Sequence, residues 1–160
     1  MKILAKNKKA LAEYEILETL EAGIQLYGCE VKSVKKGRIS LSGAFVIIQG
    51  GEAYLLNAYI PPYQPKNIPE RVLKEMGGKY DPERKRKLLL KKEEILNLFG
   101  KMKQKHLTII PLKVYTKNAK IKVEIALARK KRKFEKKQKL KEKVIEREIE
   151  KELKEIEKGI

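Results

Sequence analysis

Ten of the fifteen residues in the span 129–143 are Lys or Arg, only Glu135 and Glu142 oppose them, and neither Pro nor Gly interrupts the run. Burying such a stretch would strip water from charges that repel one another, so it has no place in a hydrophobic core. The folded domain must therefore come from residues 1–128, with 129–160 as a basic appendage. From Val144 the balance reverses: Glu146, Glu148, Glu150, Glu152, Glu155 and Glu157 stand against Arg147, Lys151, Lys154 and Lys158, with Ile145, Ile149, Leu153 and Ile156 at helical spacing. A surface built only for solubility needs no such division, which marks the span 129–143 as an arm for a polyanion.

The rest of the composition agrees. A formal net charge of +18 on 160 residues, with a pI near 9.8, favours nucleic acid over an anionic membrane or a merely soluble surface. The 42% hydrophobic content suffices for one core. Cys29 is the single cysteine, which excludes an internal disulfide and leaves no Cys/His zinc set. Lys6, Lys8 and Lys9 interrupt the first apolar run too early for a signal peptide, and no apolar run approaches a membrane span. These features predict a cytoplasmic protein.

Periodicity sketches a mainly β domain. Residues 14–27 predict a long strand that curls at Gly23, and residues 29–36 predict one or two helical turns stopped by Gly37. Residues 41–49 and 53–60, separated by Gly50, Gly51 and Glu52, predict a hairpin. Pro61, Pro62, Pro65, Pro69 and Pro82 crowd a long connection with at most a short helix at 70–76, and apolar spacing predicts a helix over 92–105. Residues 106–115 and 120–128 predict a last hairpin with one solvated, mostly basic face. Five or six antiparallel strands with one helix before the final hairpin describe a small closed barrel of the OB-fold type with one or two inserted helices. The tail over 129–160, dense in like charges at helical spacing in its first half, is predicted to be disordered when free and helical when bound.

Enzymatic chemistry finds few parts. His106 is the one imidazole, no phosphate-binding G-x-x-x-x-G-K-[ST] loop occurs, and the pair Glu93 and Glu94 is explained by a solvated helix face. The sequence implies no enzyme, no metal and no cofactor. Positive signals are four basic clusters: Lys6, Lys8 and Lys9; Lys32, Lys35, Lys36 and Arg38; Arg84, Lys85, Arg86 and Lys87; and the arm. Seven tyrosines are available either to stack on bases or to pack in the barrel wall.

Six strings then fall in order: Asn7-Lys8-Lys9-Ala10, Tyr14-Glu15, Glu21-Ala22-Gly23, Gly28-Cys29-Glu30-Val31-Lys32-Ser33, Arg86-Lys87-Leu88-Leu89-Leu90, and Tyr115 with Lys117-Asn118. From about residue 6 onward the chain resembles small protein B (SmpB), the SsrA/tmRNA-binding protein family. The resemblance implies an OB-type barrel with a basic tail that binds the tRNA-like domain of transfer-messenger RNA (tmRNA). It also implies delivery of that RNA to stalled ribosomes for trans-translation, the rescue of the ribosome and tagging of the incomplete peptide. By the same resemblance the RNA-binding residues are Asn7, Lys8, Glu21, Glu30, Lys32, Lys87, Leu89 and Lys122. Leu89 as ordinary core is the competing reading. The tail is implied to be helical when bound to the ribosome, and its residues implied to meet the small-subunit decoding centre and mRNA channel are Lys131, Arg132, Phe134, Glu135, Lys136 and Lys137, where Lys130, Glu135 and Lys137 depart from the family's usual glycine, aspartate and arginine. The protein is expected to be a monomer. Without the resemblance, the residues describe a general structured-RNA or rRNA-binding protein.

Overall fold

The computed structural model describes residues 1–131; expectations placed on 132–160, among them Arg132, Phe134, Glu135, Lys136 and Lys137, lie outside the described residues. Seven strands form one sheet: β1 (Lys2–Lys6), β2 (Tyr14–Ile24), β3 (Phe45–Gln49), β4 (Glu52–Leu56), β5 (Arg86–Leu89), β6 (Thr108–Lys117) and β7 (Lys120–Lys130). Their order is β1-β6-β3-β4-β5-β2-β7, and a further β6–β7 ladder closes β2 to β7 into a ring. This is the small antiparallel barrel expected, with β1 added as an extra strand on β6. Among the described residues four α-helices accompany it: α1 (Lys8–Glu13), α2 (Gly28–Lys35), α3 (Glu70–Glu75) and α4 (Lys92–Lys105).

Ring closure sorts alternate residues between inside and outside. Leu55, Leu88, Ile109, Val114, Val123, Ile125 and Leu127 fill the interior. On the other side of β6 and β7, Ile110, Leu112, Ala126 and Ala128 are also buried, because Ala10 of α1 with Tyr14 and Ile16 covers them in a second small core. The final hairpin is therefore not solvated along one whole face, and Tyr115, expected on that face, is only 4% exposed. β7 also runs to Lys130, so Arg129 and Lys130 of the expected arm belong to a strand.

Local chemistry explains where elements stop. Gly50 and Gly51 both take positive φ in a two-residue turn between the paired Gln49 and Glu52, and Asn118 and Ala119 do the same between Lys117 and Lys120. Past α2, Gly37 is left-handed: its N–H donates to the Val34 carbonyl (2.9 Å) and that of Arg38 to the Ser33 carbonyl (3.1 Å), a Schellman closure. α4 has the expected bounds, burying Ile95 and Leu98. His106 is its left-handed cap and not the start of a strand, with its N–H bonded to the Met102 carbonyl.

Two expectations change meaning. Gly23 is in register with Leu89 of β5, and a Cβ there would lie 3.1 Å from the Leu89 Cβ. A glycine there permits the close approach of the two strands. The Pro-rich connection is ordered by specific bonds. Ser33 Oγ donates to the Pro61 carbonyl (2.7 Å), Tyr80 Oη to the Ile60 carbonyl (2.6 Å), and the Ile60 N–H to the Pro82 carbonyl (2.9 Å). Burial, then the charge of Glu30, pushes the Tyr80 hydroxyl up to about 12.

Ala119 holds φ 63, a conformation that costs a residue with a Cβ about 1–2 kcal/mol. Ala119→Gly relieves this while making the unfolded chain freer, so a net gain of about 0.5–1 kcal/mol is expected. A denaturant midpoint at or below that of the unsubstituted protein rules the strain out.

Candidate nucleic-acid interface

Beside the barrel lies a buried charge cluster. Glu30, on the first turn of α2, is fully buried, as is Arg86 on β5. Glu30 Oε1 accepts the Tyr27 N–H (2.9 Å) and Arg84 Nη2 (2.5 Å), while Oε2 accepts Arg84 Nε (3.1 Å) and Arg86 Nε (2.8 Å). The remaining donors of Arg86 reach the carbonyls of Ala58 (2.7 Å), Pro82 (2.9 Å) and Arg84 (3.2 Å). Burial pushes the Glu30 carboxyl up, but the hydrogen bonds and charges of Arg84 and Arg86 outweigh it and hold the group below its ordinary range. Among the described residues no buried side-chain nitrogen or oxygen lacks a partner.

Two residues implied as RNA contacts, Glu30 and Asn7, are buried and hydrogen-bonded within the protein. Glu30 spends both oxygens inside the protein. Asn7 is 4% exposed and caps α1 by accepting the Ala10 N–H (3.1 Å), while its amide donates to the carbonyls of Leu41 (3.2 Å) and Pro111 (2.9 Å). Both residues are scaffold. The 84–87 cluster also shrinks as a phosphate site: Arg84 and Arg86 serve Glu30, Lys85 lies 4.3 Å over the Tyr54 ring, and Lys87 is 3.4 Å from Glu52.

What remains exposed converges around Leu89. Leu89 is 53% exposed while Leu88 is buried, so Leu89 protrudes and is not ordinary core. Leu89 forms a ridge between two concavities. One, of about 370 Å³, is walled by Gly23, Leu26, Val31, Lys35 and Lys122; the other, of about 540 Å³, by Lys87, Lys91, Lys92 and Glu94. Glu21 lies two residues along β2 from Gly23, on the same face. Tyr115 donates to Glu21 Oε2, and Lys117 Nζ is 3.5 Å from that oxygen. This hydrogen bond, resisted by some desolvation and helped by Lys117 and Lys122, lowers the Glu21 pKa. Glu21, Lys87, Leu89 and Lys122 are thus brought together, with Tyr115 and Lys117 added. Sequence had offered those two as a string, but not their reach across β7 to β2.

Lys8 is exposed on α1 and Lys32 on α2, apart from the Leu89 ridge by element; Lys32 and Lys36 lie 5.9 and 5.1 Å over the Tyr63 ring. Cys29 is half-buried, and burial followed by the charge of Glu30 raises its thiol pKa, which disfavours the thiolate. No helix of the described residues is long and apolar enough to cross a membrane.

The sequence profile described as SmpB protein matches residues 4–155. The chain belongs to the SmpB family. Similar SmpB-family chains include the SsrA-binding proteins of Sulfurihydrogenibium sp. (strain YO3AOP1), 55% identical over 86% of this chain and 84% of that one, and of Persephonella marina, 51% identical over 86% and 85%. That of Aquifex aeolicus is 51% identical over 86% and 82%. A solved chain described as "tmRNA-SmpB: a journey to the center of the bacterial ribosome" is similar with 45% identity and a TM-score of 0.63, over 81% of this chain and 85% of that one.

For this SmpB-family barrel, Glu30→Gln leaves Arg86 buried without its counter-charge, and a loss of about 3–5 kcal/mol of stability is expected. Because the folded pKa of Glu30 is lowered, its contribution is fully present above the ordinary value of 4.5 and is lost as pH falls through the folded value. Denaturation of both proteins across pH should show the gap closing on acidification; a gap that is constant or absent refutes the ion-pair account.

Proposed function

We propose that this protein binds the tRNA-like domain of tmRNA and carries it to stalled ribosomes for trans-translation, acting in the cytoplasm as a monomeric, non-enzymatic RNA-binding protein. The observation that carries the reading is the exposed Leu89 ridge with Lys87, Lys122 and Glu21 around it. An exposed leucine suits covering an unstacked base, lysines suit phosphates, and a carboxylate suits base or ribose donors. A phosphate-only binder would have no use for the leucine or the acid. Membership of a family whose relatives are SsrA-binding proteins supports the same reading.

On this reading Lys8, Glu21, Lys32, Lys87, Leu89 and Lys122 contact the RNA, and Asn7 and Glu30 hold the frame on which they stand. The arm, Lys131, Arg132, Phe134, Glu135, Lys136 and Lys137, addresses the decoding centre and the empty mRNA channel. Lysines there neutralise phosphates and Phe134 stacks on a ribosomal base.

The test compares affinity for the tRNA-like domain of tmRNA with that for an ordinary tRNA and an equal-length duplex at about 150 mM salt, where non-specific binding is weak. A preference of about 100-fold or more is expected. Equal binding to all three favours the general structured-RNA or rRNA binder instead. Stopping the chain after Lys131, which spares β7, should preserve most of this affinity and abolish peptide tagging; joint loss of both refutes that division of labour.

A further inference from the structure

We infer that Tyr115 and Lys117 are positioning residues of the RNA site, holding one oxygen of Glu21 so that the other is presented to an N–H or O–H donor of an unstacked nucleotide. The inference rests on the RNA-binding reading above and goes beyond it in assigning how the acid works. A carboxylate in a basic surface repels phosphate, so it adds affinity only where it meets neutral donors: a base N–H or a ribose 2′-hydroxyl. An exposed glutamate otherwise samples many rotamers, and fixing it on binding costs affinity. Here that fixing is already done.

Tyr115 is opposite Lys122 in the β6–β7 ladder, and its side chain crosses β7 to reach β2. The ring is buried, with Lys113 Nζ 5.7 Å from its centroid, so the hydroxyl has a fixed origin. Tyr115 Oη and Lys117 Nζ both address Oε2 of Glu21, and among the described residues Oε1 takes no partner. The titratable groups facing Glu21 are Tyr115 and Lys117 from β6 and Lys122 from β7, whereas β5 brings the apolar Leu89. Together they keep the carboxylate charged, while burial and then Glu21 itself raise the Tyr115 pKa and keep its hydroxyl a donor. Gly23 completes the device: lacking a Cβ, it lets Leu89 settle beside the oriented acid.

The experiment is a double-substitution cycle in the full chain, reading affinity for the tRNA-like domain of tmRNA with Tyr115→Phe, Glu21→Gln and the pair. Tyr115→Phe should weaken binding about five- to tenfold, the loss of a charge-assisted hydrogen bond. Glu21→Gln should weaken it at least as much, and the pair no more than Glu21→Gln alone. In Tyr115→Phe, Glu21 loses the contact that chiefly lowers its pKa, so the fall in affinity on acidification should begin at higher pH than in the unsubstituted protein. A Tyr115 that only packs gives additive losses and an unmoved pH profile, and either result overturns the inference. If Tyr115→Phe fails to fold, Lys117→Ala, at a side chain 54% exposed, provides the same cycle with an expected loss of about two- to threefold. Repeating the cycle with 2′-deoxy nucleotides in the RNA loops separates the donors: persistent coupling assigns a base N–H, vanished coupling the ribose hydroxyl. Unselective binding by the unsubstituted protein sinks the tmRNA reading, whereas additivity in a selective binder sinks this inference alone.

Discussion

The carboxylate of Glu30 ties together three parts of the chain. It sits at the start of α2, takes Arg86 from β5 and Arg84 from the connection leading into β5, and Arg86 in turn grips the carbonyls of Ala58 and Pro82. Moving such ions out of water costs several kcal/mol each, which only a fully paired arrangement offsets. That requirement fixes more than stability. With Arg86 directed inward, strand parity turns Leu88 into the core and leaves Lys87 and Leu89 outside. The exposed ridge is thus a consequence of where one guanidinium must go.

Charge on this surface is less available than the net value suggests. Arg84 and Arg86 are consumed internally, Lys87 leans on Glu52, and the acids of β2 each meet a cation: Glu15 with Arg129, Glu18 with Lys101 at 2.6 Å, Glu21 with Lys117. A uniformly positive barrel would attract any polyanion by counterion release. Interleaved acids lower that indiscriminate term and leave a larger share of affinity to shape and hydrogen bonding, which is what preference among RNAs requires.

Residue patterns read correctly at several places where the physics is local. The helix at 92–105 follows from its apolar spacing, the Gly50-Gly51 hairpin from the positive φ its turn needs, and the end of α2 from Gly37. β1, α1 and β5 were not legible. β1 is five residues that pair only with β6, more than a hundred positions away; β5 is four, with its LLL run looking like core on every side. α1 did carry a signal, an Asn before Lys-Lys-Ala-Leu-Ala-Glu, and the Asn7 side chain is the helix cap. Glu30 is a related case. Its polarity is visible in sequence, whereas its burial depends on arginines fifty-four and fifty-six residues away.

By itself the sequence determined the mainly β domain, the segregation of basic charge toward the C-terminus, the family, and the set of residues from which an RNA site is drawn. Each of these is set by short-range periodicity, composition or an ordered series of strings, and needs no knowledge of which strands are neighbours. Only the tertiary structure decided which members of that set face outward. It put Asn7 and Glu30 inside, Leu89 outside, and Tyr115 against Glu21 across an intervening strand. The reason is physical: exposure and hydrogen-bond partnership depend on ring closure and sheet register, which bring distant segments within ångströms and which no local window of residues contains.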